Sequence, residues 1–581
     1  MEQTKAPDTH PSEEWAALPW RKLEQHLYRL QKRIFKASAR GDLETVHKVQ
    51  KLLMKSRSAR LLAVRRVTQD NQGKKTAGID GVKSVPPTGR LALTEVIHPK
   101  RIAKRRPKPL RRVWIPKPGK TEQRPLGIPV IFDRAVQALT KQALEPQWEA
   151  LFESDSYGFR PGRNAHDAIA AIFSNINRKS KYVLDADIKG CFDNICHRAL
   201  LGKMCTYPAI RRLVKGWLRA GVMEGLDFSP TPAGTPQGGV VSPLLMNIAL
   251  HGMQEALIEA YTEEKKTLTA QRRAPKLIRY ADDFVVLHAE EVEVLKAQQL
   301  IAKWLQSIGL ELKPSKTRLS HTLNSYQGNV GFNFLGFSIR QFPIGKTHTG
   351  TSKGKPLGFK TIITPSKEGV QRHVQALRKI LQKSPSLSQE ELIDQLNPVI
   401  YGWSLYYRTV VSKKRFAVCD CLLMHMLWQK MARKHPKKSA KWVKEQYWRT
   451  IKGNTWTFAT SESSTMRTLR RHVSTPIQRH IKVKGRASPF DGNLLYWAKR
   501  LQNHPLTKTT LGKLLQKQQG KCRWCELLFL EEDQIEIDHI TPKSEGGSEE
   551  LSNKCALHRH CHDQRHAKHE AESTNHNGPH S

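Results

Sequence analysis

The chain has 581 residues and carries 97 Lys and Arg against 52 Asp and Glu, a formal net charge of +45. The excess extends over the whole chain, so it predicts a polyanionic partner, nucleic acid before an acidic membrane surface. No run approaches the roughly 20 apolar residues of a membrane span, and the first residues lack an apolar signal segment, so we expect a cytoplasmic protein without a membrane partner. Nine cysteines, four of them clustered near the carboxyl end, indicate a reducing compartment with one local metal site.

Apolar residues at helical spacing predict helices from about residue 15 to 68. Two short strands around the Pro118–Gly119 turn should follow, and then an amphipathic helix from Asp133 to Trp148. Further along, the patterns predict alternating strands and helices over 180–320, a basic loop at 345–358, Trp- and Lys-rich helices from Pro365 to about 448, and a basic linker or hinge beyond them.

Two adjacent carboxylates, Asp282 and Asp283, interrupt the apolar stretch IRYADDFVVL at 278–287, which predicts two strands around a tight turn. Asp is common in turns, but turn chemistry favours Asp-Gly over Asp-Asp before a bulky run. Divalent cations would neutralise the pair, as in sites that hold two Mg²⁺ ions for an in-line displacement at phosphorus. Upstream, the alternation of a strand places Asp185 and Asp187 on one face, where one of them could complete such a site.

Tyr-Ala-Asp-Asp between apolar strands, with DIKGCFD upstream and GTPQGGVVSP between them, resembles the palm of a reverse transcriptase. The stretches RRVWIPK, QRPLGIP, SYGFRPGR, GLELKPSKT and FNFLGF fall in the order typical of bacterial group II intron-encoded proteins. A single four-residue signature is only moderately specific, whereas several blocks in one order are very specific. The resemblance implies an α+β, right-hand polymerase with fingers, palm and a helical thumb.

The resemblance also implies roles for individual residues. Asp187, Asp282 and Asp283 would bind Mg²⁺ and act in catalysis, and Phe192 would exclude a 2′-hydroxyl, so that dNTPs are the substrates. The other nucleotide-binding positions would be Arg111 and Lys117 at the triphosphate, Arg124 in a supporting contact, Gln237, Gly238 and Gly239 around the pocket, and Lys316 at the leaving pyrophosphate. Two glycines permit close approach of the backbone to a ligand. For Lys316, a solvated surface position is the alternative.

The region after the palm interleaves basic helices with aromatic residues. In the family this is the thumb, or maturase domain, which binds the intron RNA. Arg372, Arg378 and Lys379 lie off the apolar face of the first helix and are predicted to contact phosphates. Aromatic rings beside cations suit RNA loops, but helical spacing is also core spacing, so a core role is the alternative for each ring.

Near the carboxyl end, Cys522 and Cys525 form one knuckle, and His558 and Cys561 form a second. Four such ligands in two knuckles are typical of a closed structural zinc site. Cys555 is the rival ligand to His558, but its spacing to Cys561 is less typical of a knuckle. The sequence therefore predicts a zinc ion bound by three thiolates and one histidine.

The stretch between the knuckles resembles the ββα-metal finger of HNH nucleases. The resemblance implies that His539 is the general base, that Asp538 and His562 hold one Mg²⁺ or Mn²⁺, and that Asn553 orients His539 or supports the metal shell. Lys554 departs from the leucine usual after this Asn. A zinc ribbon that only binds DNA is the alternative.

The chain is thus similar to a group II intron reverse transcriptase/maturase with an HNH endonuclease. Its partners would be the intron RNA in a ribonucleoprotein, target double-stranded DNA and dNTPs, in a bacterial cytoplasm and at the nucleoid. The alternatives are a splicing cofactor with an idle polymerase and a reverse transcriptase of another bacterial class. The expected domains are a basic helical extension (1–75), fingers and palm (76–340), a thumb or maturase domain (361–455), a basic DNA-binding linker (456–515), the HNH unit (516–570) and a disordered tail (571–581).

Overall fold

The computed structural model describes residues 15–116, 122–235, 237–265, 274–345, 349–352, 354–383, 387–451, 453–460, 466–504, 507, 509–529 and 533–566. The expected disordered tail (571–581) and Lys117 lie outside these residues. Within the described ranges, no helix combines the length and the apolar composition needed to cross a bilayer.

The amino-terminal helices pack on the polymerase domain through one long helix. The first elements are α1 (Trp20–Ala39), α2 (Leu43–Lys55), α3 (Arg57–Arg65), α4 (Pro87–Val96) and α5 (Pro99–Ile102), and after the first hairpin comes α6 (Ile131–Leu151). Ser38 Oγ donates to Gln147 O at 2.8 Å, and Gln50 Nε2 donates to Gln147 Oε1 at 2.7 Å. The predicted helical region is therefore confirmed, and it belongs to the same hydrophobic core as the palm.

A four-stranded sheet in the order β2-β1-β4-β5 forms the fingers. Its strands are β1 (Leu110–Pro116), β2 (Gln123–Ile128), β4 (Val222–Glu224) and β5 (Asp227–Ser229). The strands β1 and β2 pair antiparallel, and β1 also pairs parallel with β4, while the predicted Pro118–Gly119 turn lies outside the described residues. Between β2 and β5 in the chain lie α7 (Ala165–Ile176), β3 (Tyr182–Asp187), α8 (Cys191–Asn194), α9 (His197–Lys203) and α10 (Pro208–Leu218).

The palm is an antiparallel sheet in the order β6-β7-β3-β8 between two hydrophobic cores. Its later elements are α11 (Ser242–Leu250), α12 (Met253–Lys265), β6 (Lys276–Tyr280), β7 (Asp283–His288), α13 (Glu291–Ser307) and β8 (Arg318–His321). Leu184 and Ala186 join the core that includes the helices, while Val183 joins the second core. The strand alternation predicted for β3 is therefore confirmed, because apolar side chains from both faces are buried.

The thumb follows a three-stranded sheet in the order β13-β10-β9. The elements are β9 (Phe332–Phe334), β10 (Phe337–Pro343), β11 (Thr351–Ser352), β12 (Lys355–Pro356), β13 (Phe359–Pro365), α14 (Lys367–Lys383), α15 (Gln389–Tyr407), α16 (Lys413–Lys434), α17 (Ala440–Tyr447), β14 (Trp448–Ile451) and β15 (Asn454–Phe458). The short pair β11–β12 replaces part of the loop predicted at 345–358. Trp403, Tyr407 and Trp448 pack in or against hydrophobic cores, so the core alternative holds for these rings.

The carboxyl-terminal region contains α18 (Leu494–Gln502), α19 (Thr509–Lys517), the hairpin β16 (Ile535–His539) with β17 (Lys554–His558), and a helix over residues 559–566. Two strands followed by a helix give the predicted ββα arrangement. The region predicted as a hinge is not a free connection, since His472 is fully buried and its Nδ1 lies 2.6 Å from Asp420 Oδ1. Packing contacts at His472 thus lie within the region where turn-forming composition predicts a linker or hinge.

Two candidate metal centres

The two carboxylates of the palm turn lie beside a third on the neighbouring strand. Asp283 begins β7 directly opposite Asp187 at the end of β3. Ala281, in the turn, takes a left-handed backbone conformation with φ +58°, which is uncommon for a residue other than glycine. Arg279 is almost completely buried beneath the turn, and its guanidinium donates to Ala281 O at 3.2 Å and to Asn247 Oδ1 at 3.0 Å. The hydrogen bond from the buried Arg279 to Ala281 O therefore helps to hold the turn in this conformation.

Burial makes this group of carboxylates electrostatically unfavourable without cations. Burial and the charge of Asp283 raise the pKa of Asp185 to about 7. Burial and the charge of Asp282 likewise raise the pKa of Asp283 to about 7, and burial raises the pKa of Asp282. Desolvation and like charges both disfavour the ionised form, whereas bound cations would favour it. The donor set thus fits divalent cations, which prefer carboxylate oxygens.

Lys316 is a cation in direct contact with this site. Its Nζ pairs with Asp187 Oδ2, and although burial opposes the shift, that hydrogen bond raises the pKa of Lys316. Among the described residues, the three palm aspartates are not one of the groups whose ligand atoms all lie within 4.8 Å of one another. Asp187 is paired with the lysine instead, which satisfies its charge.

Phe192 lies on α8, directly after the strand that carries Asp187. Its ring stands edge-on to Phe159, with centroids 6.3 Å apart, and it lines a cavity of about 330 Å³ between fingers and palm. Thr235 N donates to Phe192 O at 2.6 Å. A Cβ at Gly234 would lie 2.6 Å from Phe192 O, so glycine is needed for this close approach.

The fingers hairpin contacts the glycine-rich segment of the palm. Gly127 N donates to Gln237 O at 2.6 Å, and a Cβ at Gly238, whose φ is +108°, would lie 2.7 Å from Gly127 O. Arg111 lies on β1, and Arg124 is exposed on β2. Burial raises the pKa of Asp282, and the positive charge of Arg124 partly opposes this rise. Arg111 and Arg124 therefore lie on the fingers hairpin, and Gln237 and Gly238 lie on the segment that this hairpin contacts.

On the thumb, Arg372, Arg378 and Lys379 are all exposed on α14, while Leu377 and Leu381 are buried on its opposite face. The helix is amphipathic as the sequence predicts. The three cations are therefore available to a phosphate backbone.

The carboxyl-terminal knuckles meet in one buried cluster. Cys522, Cys525, His558 and Cys561 each offer one ligand atom, and these atoms all lie within 4.8 Å of one another. Cys525 Sγ lies 3.3 Å from His558 Nδ1, and the far side of that ring, Nε2, lies 3.3 Å from Asp533 Oδ2. A carboxylate on the outer nitrogen is the usual partner of a zinc-ligating histidine. The rival Cys555 lies on β17 in register with Asp538, outside the cluster.

A second group of possible ligands lies at the end of β16. Asp538, His562 and His566 have ligand atoms within 4.8 Å of one another, and Asp538 Oδ1 lies 3.6 Å from His566 Nε2. His539 follows Asp538, and its Nε2 lies 3.5 Å from Oε2 of the exposed Glu549 carboxylate. Arg565 donates to Asp538 Oδ2 at 2.8 Å and fixes that carboxylate. One aspartate and two histidines suit a single divalent ion, and His539 is available as a base.

The Asn553 side chain is held by the loop between β16 and β17. Its side chain donates to Thr541 O at 3.1 Å and to Ser548 O at 2.9 Å, and accepts from Thr541 N at 2.9 Å. It thus closes the loop between β16 and β17 and does not hydrogen-bond to His539. Loop amides and carbonyls compete for an Asn side chain, which the sequence order does not reveal.

Two residues of this centre were missed by the sequence reasoning. His566 was assigned no role, although it follows His562 by four residues and so lies on the same helix face. That i, i+4 spacing was the available signal. Arg565, which also donates to His539 O at 2.9 Å, carried no signal, because its partners lie on a distant strand.

Comparison with known families agrees with this arrangement. The chain matches the N-terminal domain of reverse transcriptase over residues 15–97 and the reverse transcriptase (RNA-dependent DNA polymerase) family over 115–339. It matches the group II intron, maturase-specific domain over 370–448 and the HNH endonuclease family over 522–568.

Curated relatives give the same result. The chain is 32% identical over 311 residues to Protein YkfC of Escherichia coli, covering 47% of this chain and 78% of that protein. It is 28% identical over 338 residues to the group II intron-encoded protein LtrA of Lactococcus lactis, covering 48% of this chain and only 55% of LtrA. Its four family segments follow one another in a single order, so the chain belongs to the group II intron-encoded reverse transcriptase/maturases that carry an HNH endonuclease domain.

Proposed function

We propose that the chain is an RNA-directed DNA polymerase whose site is the palm turn. The observation that carries this proposal is the register of Asp187 against Asp283, and the contact of the fingers hairpin with Gln237 and Gly238 supports it. Asp187, Asp282 and Asp283 would hold Mg²⁺, which supplies activation of the primer hydroxyl and neutralisation of the leaving oxygen when bound.

The other residues position and select the nucleotide. Phe192, whose backbone carbonyl accepts a hydrogen bond from Thr235 N, would contact the sugar and exclude a 2′-hydroxyl. Arg111 and Lys117, with Arg124, would bind the triphosphate. The primer 3′-oxygen then bonds to the α-phosphorus while the bond to the bridging oxygen breaks, and Lys316 would leave Asp187 to neutralise or protonate the pyrophosphate.

The polymerase proposal is tested by dNTP incorporation on a primed RNA template. Asp282→Ala should lose incorporation by at least about 1,000-fold, because the charge that neutralises the cations is removed. Glu311→Gln, at an exposed position whose carboxylate lies 3.6 Å from Lys189 Nζ, is the control and should incorporate normally. Equal incorporation by the wild type and Asp282→Ala would refute the proposal and favour the splicing cofactor with an idle polymerase.

We propose that the HNH unit cuts one strand of the target DNA. His539 would take a proton from the attacking water, and Asp538 with His562 and His566 would hold Mg²⁺ or Mn²⁺ against the scissile phosphate. Zinc at the four-ligand cluster would have a structural role, since all four ligand residues are buried. His539→Ala should abolish nicking and leave splicing intact, and continued nicking would refute the assignment.

We propose that the thumb binds the group II intron RNA and that the resulting ribonucleoprotein inserts it into DNA. The RNA would enter one strand, the HNH unit would nick the other, and the freed 3′-hydroxyl would prime cDNA synthesis. Replacing Arg378 and Lys379 with Gln should weaken RNA association and reduce its salt dependence, because fewer counterions are released. An unchanged salt slope would show that this helix faces away from the RNA.

A further inference from the structure

The SYGFRPGRNAHD stretch contributes a buried carboxylate that the polymerase site does not use. The Asp167 side chain, near the start of α7, has no solvent exposure. It accepts hydrogen bonds from His480 Nε2 at 2.9 Å, from Val483 N at 2.8 Å, and from Arg500 Nη2 at 2.8 Å to each of its two oxygens. Its fourth partner is Asn164 N, at 3.0 Å. Three of the four partners belong to the carboxyl-terminal third of the chain.

Two further residues of the same stretch bind that region. Arg163 Nη2 donates to Gly485 O at 2.8 Å and to Ala487 O at 3.3 Å. Gly162, with φ +71°, lies so close to the ring of Trp497 that a Cβ there would be 2.4 Å from it. We call residues 162–167 the socket.

The segment that the socket holds has little structure of its own. Residues 476–484 form neither helix nor strand, and we call residues 475–487 the strap. Its order therefore depends on contacts with the rest of the protein, such as Val483 N on Asp167 and Gln478 N on Arg408 O at 2.9 Å. A buried carboxylate needs such charged and polar partners, since burying it alone is very costly. Asp167 therefore depends on the strap for its hydrogen-bond donors, and the strap depends on Asp167 for its position.

The strap presents positive charge on its free side. His480 and Val483 face Asp167, whereas Arg479, Lys484 and Arg486 are exposed. After the strap, the chain continues through α18 and α19 directly into the zinc cluster at Cys522. The position of the strap thus affects both a basic surface and the place where the nuclease begins.

We propose that the socket is a positioning device that fixes the strap and the nuclease relative to the polymerase site, so that the nick made in the target DNA is delivered to the palm as a primer. This inference rests on the proposed function. Asp167 acts through His480, Val483 and Arg500 and touches no substrate. Without the socket, each activity would survive on simple substrates, but the two would no longer be coordinated on one DNA.

The test uses full-length protein carrying Asp167→Asn or, from the other side of the contact, Arg500→Gln. Lys499→Ala, the exposed neighbour of Arg500 on α18, is the matched control. Hydrogen exchange of amides 478–487 should rise about 10-fold or more in both socket variants, because each leaves a buried charge without its partner. The control and the palm strands in all variants should exchange as in the wild type.

Activity then separates positioning from general damage. Incorporation on a primed RNA template should stay within about twofold of wild type, while cDNA synthesis from the nicked target should fall about 10-fold or more. Unchanged exchange in the strap would overturn the socket, and faster exchange with normal target-primed synthesis would overturn its positioning role. Loss of primed-template synthesis in step with target-primed synthesis would also overturn it. A wild type inactive in both assays would refute the proposed function, while the exchange result would still decide whether the socket holds the strap.

Discussion

The palm and the nuclease both gather metal-binding side chains, but they hold them in place by different means. The palm aspartates lie at the ends of strands between two large hydrophobic cores, which fix these strand ends although burial disfavours the ionised carboxylates. The nuclease has only a small core around a single hairpin, and four buried ligand residues join its two knuckles. A large core tolerates electrostatic strain, whereas a small domain needs a metal to fold.

Among the variants that test how each region is held in place, those that break the zinc cluster should have the largest effect. Cys522→Ser should reduce nicking at least about 100-fold, because binding of structural zinc contributes folding free energy directly. Polymerisation on a primed RNA template should persist. Cys555→Ser is the matched control, since Cys555 is equally buried but lies outside the cluster. Zinc content per chain and nicking rate check both variants, and loss of zinc from Cys555→Ser would reverse the assignment of ligands.

The next effect concerns the ligand that sequence reasoning missed. His566→Ala should slow nicking by at least about 10-fold. Even the loss of a residue that only hydrogen-bonds to a metal ligand typically lowers metal affinity or activity about 10–100-fold. Higher Mn²⁺ or Mg²⁺ should partly restore the rate, while zinc content stays at the wild-type level. If the rate at saturating metal and the metal dependence both equal those of the wild type, His566 is not a ligand.

A smaller effect is expected where the fingers meet the palm. Gly238→Ala adds a Cβ 2.7 Å from Gly127 O, and the strain of about 1–3 kcal/mol should raise the KM for dNTPs about 10-fold. Gly225→Ala is the control. Gly225 also has a positive φ, +62°, but a Cβ at this position would have no neighbour within 4 Å. Steady-state kinetics of the two variants compare the clash with the conformational strain alone. Equal KM values would show that the close approach is not needed for nucleotide binding.

The smallest effect concerns the junction between the polymerase and the strap. Burial lowers the pKa of His504 to about 3, nearby His480, His166 and Arg500 add to the shift, and Asp167 opposes it. The pKa of His504 is lower in the folded protein than in the unfolded chain. The stability that neutral His504 contributes is therefore present in full above about pH 6.5 and is lost as the pH falls towards 3.

The melting temperature of the wild type should therefore fall between pH 6.5 and 4, and His504→Asn should show a shallower fall. His425→Asn, at an exposed position on α16, is the control and should follow the wild type. Parallel curves for all three proteins would contradict a buried, neutral His504.

Much of the chemistry was accessible from the sequence because it depends on short spacings. The Asp282–Asp283 pair, the strand alternation around Asp187 and the two knuckles each fit within one turn, strand or knuckle. Such local patterns fix which side chains share a face or an end of an element. The α+β class and the order of the segments followed from the family resemblance that these motifs carry.

Only the tertiary structure decided which distant partners meet. It placed His558 rather than Cys555 in the zinc cluster, turned Asn553 to the loop at Thr541, and paired Lys316 with Asp187. It also converted a predicted hinge into a strap held by Asp167. These outcomes depend on burial and on hydrogen bonds between residues far apart in the chain, for which a single sequence contains no periodic signal.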